Sequence, residues 1–271
     1  MTQLGSPCDT LPPAVESTLT SGAAVRGQRF QGKSALITGG TKGIGRAIAL
    51  RLAQENARVA VTWFRDVDSA ERLSAEFDAH GLRLCCLRAN LQDSEAPRRV
   101  ILEAQRAIGP IDLLVSNAAS GVYRPLREAT QRHWDWTFQT NAGCFVGLMQ
   151  AARSLEAVVA MSSLGTARVQ TGYGTIAASK AALESLVRYF AIELAPATRV
   201  NAISAGLVDT ASIRRFPGID AAIEHAKRTS PMQRLVAPAD VANLAAFLLS
   251  DEASMITGQT VVIDGGYSIQ A

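Results

Sequence analysis

A chain of 271 residues, 48% hydrophobic, 19% charged and 6% aromatic, is long enough for one large α/β domain or two small ones with a sizeable core. A formal net charge of +3 gives no argument for nucleic-acid binding, and no apolar run reaches the ~20 residues that span a bilayer. The first basic residue is Arg26, His80, His133 and His225 are scattered, and Cys8, Cys85, Cys86 and Cys144 show no CxxC spacing. Neither a secretory leader, a metal site nor a disulfide framework is therefore expected, and a cytoplasmic location is.

Residues 1–30, with Pro7, Pro12, Pro13 and many small polar residues, are expected to form a flexible tail. Residues 31–271 are expected to form one domain. Ser34–Thr38 is the first buried strand, followed by a glycine-rich stretch and a helix through about Gln54. Arg58–Trp63 is the second strand, with a helix after Asp68. Leu82–Leu87, Ile111–Ser116, Ala157–Ser162, Arg199–Ser204 and Thr260–Asp264 follow as the third to seventh strands. Adjacent Cys85 and Cys86 would point to opposite faces of their strand. Short apolar strands alternating with helical stretches of roughly 10–15 residues specify βαβ units. The expected fold class is α/β: a single doubly wound Rossmann-type domain with a seven-stranded parallel sheet and helices on both faces.

The first strand runs into Thr38-Gly39-Gly40-Thr41-Lys42-Gly43-Ile44-Gly45 and directly into a helix. Glycines there allow a tight turn, bring backbone N–H groups close to a pyrophosphate, and seat the helix on the sheet. The positive end of the helix then faces the phosphates. A glycine loop alone is a weak signal. Its place between strand and helix, opening a βαβ series, points to a dinucleotide. Gly39, Thr41, Lys42, Gly43, Ile44 and Gly45 are the candidate cofactor residues of this loop.

The end of the second strand sets which nicotinamide cofactor fits. An acidic residue there would hold a ribose 2′-hydroxyl and repel a 2′-phosphate. The chain has Thr62-Trp63-Phe64-Arg65-Asp66, with Lys42 and Arg46 nearby. Arg65 as a phosphate partner favours NADPH; Asp66, if it points inward, is the competing feature for NADH.

The loop spacing, TG-x3-G-x-G, resembles that of the short-chain dehydrogenase/reductase superfamily, and the resemblance runs from about Lys33 to Tyr267. Asn117-Ala118-Ala119, Asn141, Ser162-Ser163, Lys180 and Ile263-Asp264-Gly265-Gly266 agree with it in order. The resemblance implies that Asn90-Leu91 contact adenine. It also implies that Asn117, Ala118 and Ala119 line the cofactor, and that Gly206, Val208 and Thr210 line the nicotinamide. It further implies a homotetramer, packed through the helices around Asn141 and Lys180.

Most ketone-reducing members carry Tyr-x3-Lys, but four residues before Lys180 stands Ile176, which has no proton to give. The tyrosine is Tyr173, in Tyr-x6-Lys. Seven residues at ~100° come to ~700°, about 20° short of two turns, so both side chains share a face if the helix includes Tyr173. This spacing resembles the enoyl-acyl-carrier-protein reductases, above all the NADPH-using type III enzymes. Asn117–Pro125, His133–Thr137, Ser162–Gly165, Ser179–Glu184, Val200–Ser204, Phe216-Pro217, Met255-Ile256 and Gly258-Gln259 carry the similarity. The resemblance implies conjugate reduction of a trans-2-enoyl thioester on acyl carrier protein or coenzyme A. Tyr173 would stabilise the enolate, Lys180 would hold the ribose and support the phenolate, and Ser163 would touch substrate.

Two departures stand out. Where such reductases often carry a second aromatic residue, this chain has Val169; and the segment from Asn141 to Ser163 is several residues short. The long stretch from Thr210 to Leu235 is expected to cover the site as a lid. Its Arg214, Arg215, Lys227, Arg228 and Arg234 could meet an acidic carrier protein or be a solvated face. Trp134 and Trp136 suit core or interface, and His133 a helix terminus. Reduction of a ketone with Tyr173 in another pose, and a non-catalytic NADP-binding sensor, remain as alternatives.

Overall fold

The computed structural model describes residues 27–270 apart from Ser212 and Pro217; of Arg215, only the backbone is described. Residues 1–26 of the expected tail (1–30), Cys8 among them, and the proline of Phe216-Pro217 lie outside the described residues. Arg29 and Phe30 belong to the packed domain, which therefore starts ahead of the expected boundary at residue 31. Phe30 is buried in the core, and Arg29 Nε pairs with the buried Glu55 carboxylate at 2.6 Å. Arg29 and Arg51 together hold that carboxyl below its usual range against the cost of its burial.

Seven strands form one parallel sheet in the order β3-β2-β1-β4-β5-β6-β7. They are β1 (Ser34–Ile37), β2 (Arg58–Trp63), β3 (Leu84–Arg88), β4 (Leu113–Ser116), β5 (Ala157–Ser163), β6 (Arg199–Ala205) and β7 (Thr260–Ile263). Central strands such as β1 and β4 are buried throughout, as continuous apolar runs covered on both faces must be. Edge strand β3 instead alternates, with Cys85 in one core cluster and Cys86 against the other.

One core packs α1 (Gly43–Ala53), α2 (Val67–Ala79) and α8 (Pro238–Leu249) on the sheet. The opposite core packs α3 (Ala96–Ile108), α5 (Cys144–Ala151) and α6 (Gly174–Glu193). Residues on the same strand supply both faces: Ile37 goes to one core and Leu36 to the other. The remaining helices are α4 (Gln131–Phe138) and α7 (Ile219–Thr229). The short segment before β5 is accommodated by ending α5 at Ala151 and connecting through residues 152–156. Among the described residues no helix is long and apolar enough to cross a membrane.

The strand order reverses between β1 and β4. Chains leaving those two strands diverge to opposite faces and open a crevice at their carboxyl ends, where ligands of such sheets bind.

Candidate active site

The reversal puts the loop after β1 beside the loop after β4, and hydrogen bonds tie them together. Thr38 N donates to the Val115 carbonyl at 2.9 Å, and Thr38 Oγ1 accepts from the Asn117 and Ala118 amides at 3.0 Å each. Asn117 Nδ2 donates to the carbonyls of Thr38 (2.9 Å) and Gly39 (3.0 Å). Asn117 therefore braces the glycine loop from the neighbouring strand.

Gly39 and Gly43 have φ of +63° and +57°, a region that favours glycine. A Cβ on Gly39 would lie 3.0 Å from Ala118 Cα, and one on Gly43 would lie 3.3 Å from Thr210 Cγ2. Lys42 is the N-cap of α1, and no side chain caps that helix. Its first N–H groups are left to meet an anion, at the positive end of the helix. The cradle fits a nucleotide pyrophosphate: backbone donors, a helix N-terminus, and no side-chain carbon in the way.

At the end of β2, Asp66 caps α2, accepting from Ser69 N at 3.0 Å, and pairs with Lys42 Nζ at 2.8 Å. Those hydrogen bonds hold its carboxyl well below the usual range. Arg46 pairs with Glu76 at 2.8 Å. Arg65 is exposed 5.2 Å from the Phe64 ring centre and pairs with no carboxylate among the described residues. Arg65 is thus open to solvent at this corner, as is Arg88 over the Trp63 ring. Asn90 accepts from Gln92 N at 3.3 Å, while the Leu91 side chain is buried in the core.

Gly206 sits against Asp264, where a Cβ would fall 2.9 Å from the aspartate Cβ. Asp264 accepts from the amides of Gly266 (2.9 Å) and Ser268 (2.7 Å) and fixes that turn. Val208 is buried and bridges to Val236; Thr210 is half-buried beside Gly43. Thr41 is buried, Ile44 is half-buried and Ala119 is exposed.

Tyr173 is the N-cap of α6, just outside the helix, with helical φ and ψ of −93° and −1°. Its carbonyl accepts the first helical bond, from Ala177 N at 2.9 Å, so it keeps nearly the direction that two helical turns would give. Its ring lies over Gly165, where a Cβ would fall 2.5 Å from Cε1. Its hydroxyl donates to Ser163 Oγ at 3.2 Å, and Ser163 Oγ also accepts from Gly165 N at 3.2 Å. Burial raises the phenol above its ordinary value, opposed by the bond to Ser163. Ile176, at the place where ketone reducers carry their tyrosine, is buried against Gly121.

Lys180 is 4% exposed, and burial lowers its ammonium to about 8. Its Nζ donates to the Met161 carbonyl at 2.6 Å. Asn141 sits in a π-helical turn, Gln139–Gly143, between α4 and α5. It exchanges hydrogen bonds with the backbone of Ser120 (2.9 and 3.0 Å) and donates to Ser179 Oγ at 2.8 Å. Its amide joins the β4 loop to α6. His133 takes part in the capping box of α4, as a helix-terminal residue, and Trp134 stacks on Phe138 at 4.7 Å.

The family model described as "Enoyl-(Acyl carrier protein) reductase" matches residues 39–268. The chain belongs to the short-chain dehydrogenase/reductases. It is 35% identical to the 1-cyclohexenylcarbonyl-CoA reductase of Streptomyces collinus, over 87% of each chain. It is 33% identical to the 3-oxoacyl-acyl-carrier-protein reductase FabG of Staphylococcus aureus, over 86% of this chain and 97% of that one. A short-chain dehydrogenase from Burkholderia cenocepacia, solved in complex with NADP, superposes with a TM-score of 0.81 at 34% identity, covering 89% of this chain and 99% of that one.

This short-chain dehydrogenase/reductase, an oxidoreductase by family, has features its sequence did not single out. Val169 is 100% exposed. An aromatic ring beside Gly172, the residue before Tyr173, comes instead from Tyr123, in the loop after β4. The Glu184 carboxylate gathers the hydroxyls of Ser162 and Thr166 (the latter at 3.0 Å), on either side of Ser163. Nothing local in the sequence marks these contacts, because each joins segments brought together only by the sheet. In the basic stretch before α8, Arg214 pairs with Asp209 and Asp220, Lys227 with Glu224, and Arg234 with Asp240.

Proposed function

We propose that this chain is an NADPH-dependent reductase of enoyl thioesters, acting on the conjugated double bond of an acyl group on coenzyme A or acyl carrier protein. The observation that carries the reading is the position of the phenol. Tyr173 stands one turn ahead of Lys180's usual partner position, over Gly165 and on Ser163, while Ile176 fills the usual place. A donor moved along the helix reaches a different substrate oxygen, which suits a thioester carbonyl conjugated to the reacting carbon.

When bound, the cofactor supplies a hydride to C3 of the enoyl group. Tyr173 donates to the thioester oxygen as negative charge builds there, stabilising the enolate, which then takes up a proton at C2. Burial keeps the phenol protonated in neutral solution and thus ready to donate. Ser163 holds the hydroxyl in place beforehand. Lys180 would hold the ribose hydroxyls and add positive charge near the phenol. Arg65 supports the choice of NADPH, since Asp66 is engaged by Lys42 and the α2 cap. The NADP-bound Burkholderia relative supports the same choice.

Coenzyme A is the favoured carrier, because Arg214, Lys227 and Arg234 of the basic stretch are already engaged by carboxylates of this chain and the Streptomyces relative is named for a coenzyme A thioester. We place the enzyme in the cytoplasm as a homotetramer. Tyr189 and Ile192, exposed three residues apart on α6, present an apolar face suited to a subunit contact.

NADPH oxidation with crotonyl thioester against acetoacetyl thioester tests the reading. Consumption with the enoyl substrate supports it. Consumption with the keto substrate alone rejects it in favour of ketone reduction, the second reading, which the similarity to FabG and the Ser163–Tyr173 pair both favour.

A further inference from the structure

Tyr123 and Phe216 come from segments 93 residues apart, the loop after β4 and the turn before α7, and their rings stack at 5.0 Å with 29° between planes. The Tyr123 ring also rests on Gly172. That glycine has φ of +81°, and a Cβ on it would lie 2.8 Å from the tyrosine Cε1. The next residue, Arg124, donates its amide to the Gly172 carbonyl at 2.7 Å. Leu126 lies on Gly174 in the same way, with its Cγ 2.6 Å from where a Cβ would stand. The loop 123–126 therefore lies along both neighbours of Tyr173. The Tyr123 hydroxyl has no hydrogen-bond partner among the described residues, so the ring's contacts are made by its faces and edge.

We infer that Tyr123 and Phe216 form an aromatic latch that closes the acyl pocket beside Tyr173 and selects flat, conjugated acyl groups. The inference rests on the enoyl reading and specifies its substrate class. An acyl chain whose carbonyl sits at Tyr173 and whose far end passes Gly172 meets the Tyr123 ring. Aromatic faces favour planar sp² surfaces, so an enoyl group whose conjugated plane extends beyond its double bond, as in a cinnamoyl group, gains most. The latch takes the place of the second aromatic residue that Val169 does not supply.

The test is steady-state kinetics of the full chain with cinnamoyl-CoA and crotonyl-CoA, together with NADPH affinity measured by cofactor fluorescence. Tyr123→Ala and Phe216→Ala are each expected to raise KM for the cinnamoyl thioester about tenfold. The effect on crotonyl-CoA should be smaller, with kcat and NADPH affinity held within about twofold. Tyr123→Phe should behave as wild type, because stacking and not the hydroxyl is at work. The double Ala variant should cost no more than the worse single one, since the two rings act as a unit. Unchanged KM, penalties that multiply, equal losses on both thioesters, or a parallel loss of NADPH affinity would each overturn the latch. These outcomes are separate from failure of the enoyl reading, which shows as a wild-type enzyme that turns over acetoacetyl-CoA and neither enoyl thioester. A wild type that reduces no thioester overturns both.

Discussion

The Tyr173 hydroxyl donates to Ser163 Oγ across 3.2 Å, joining the start of α6 to the end of β5. Replacing Tyr173 by Phe removes the donor aimed at the developing oxyanion. A loss of about 10²–10³ in kcat is expected, with NADPH binding retained. Ser163→Ala leaves the phenol in place but unguided and should cost about tenfold. Stopped-flow oxidation of NADPH measures both, and a Tyr173→Phe enzyme as active as wild type sinks the mechanism.

Ile176 occupies the position of the ketone reducers' tyrosine, pressed against Gly121. Restoring that spacing with Ile176→Tyr in a Tyr173→Phe background should not restore activity. The larger ring meets backbone on a packed face and should destabilise the fold by about 1–3 kcal/mol. Recovery of reduction, at undiminished urea midpoint, would show that the site tolerates either spacing.

Lys180 carries a buried ammonium, lowered by burial to about 8 from the ordinary 10.5. The folded state thus holds fewer protons than the unfolded one between those values, so stability should rise as pH climbs through that window. Below about 8 the charge is carried in both states, and its burial costs stability in the folded one. Lys180→Met removes that cost. The variant should melt higher than wild type at pH 7, lose the rise between pH 8 and 10, and have activity reduced by at least ~10²-fold. Calorimetry across that range decides it, and a lower melting temperature at pH 7 contradicts the argument.

Arg65, at the end of β2, pairs with no carboxylate among the described residues, whereas Lys42 and Arg46 are engaged by Asp66 and Glu76. Arg65→Ala should raise KM for NADPH by about 10- to 100-fold, the effect of losing a charge-assisted phosphate contact. KM for NADH should barely move. If both change equally, Arg65 serves the fold and not the phosphate.

Much of the architecture was legible in the residues. All seven strands fall where apolar runs bounded by polar turns place them, and β2 matches residue for residue, Arg58–Trp63, because a strand buried on both faces must be continuously apolar. The glycine loop was legible for a similar reason: only glycine fits at Gly39 and Gly43, where φ is positive. The role of Asp66 was not. Its carboxylate could face the ribose or the helix, and only the approach of Lys42, 24 residues earlier, decides for the cap. The tail boundary shifted because Phe30 finds its core partners and Arg29 its carboxylate, at Glu55, far along the chain.

By itself the sequence determined the alternation of strands and helices, the glycine-rich turn after β1 and the unusual distance between phenol and ammonium, because each is a local pattern of size, polarity or spacing. The tertiary structure decided what surrounds that phenol: Gly165 beneath it, Ser163 on its hydroxyl, and Tyr123 from another loop against the residue before it. Those neighbours depend on the order in which parallel strands pair, and that order is set by burying both faces of the sheet at once.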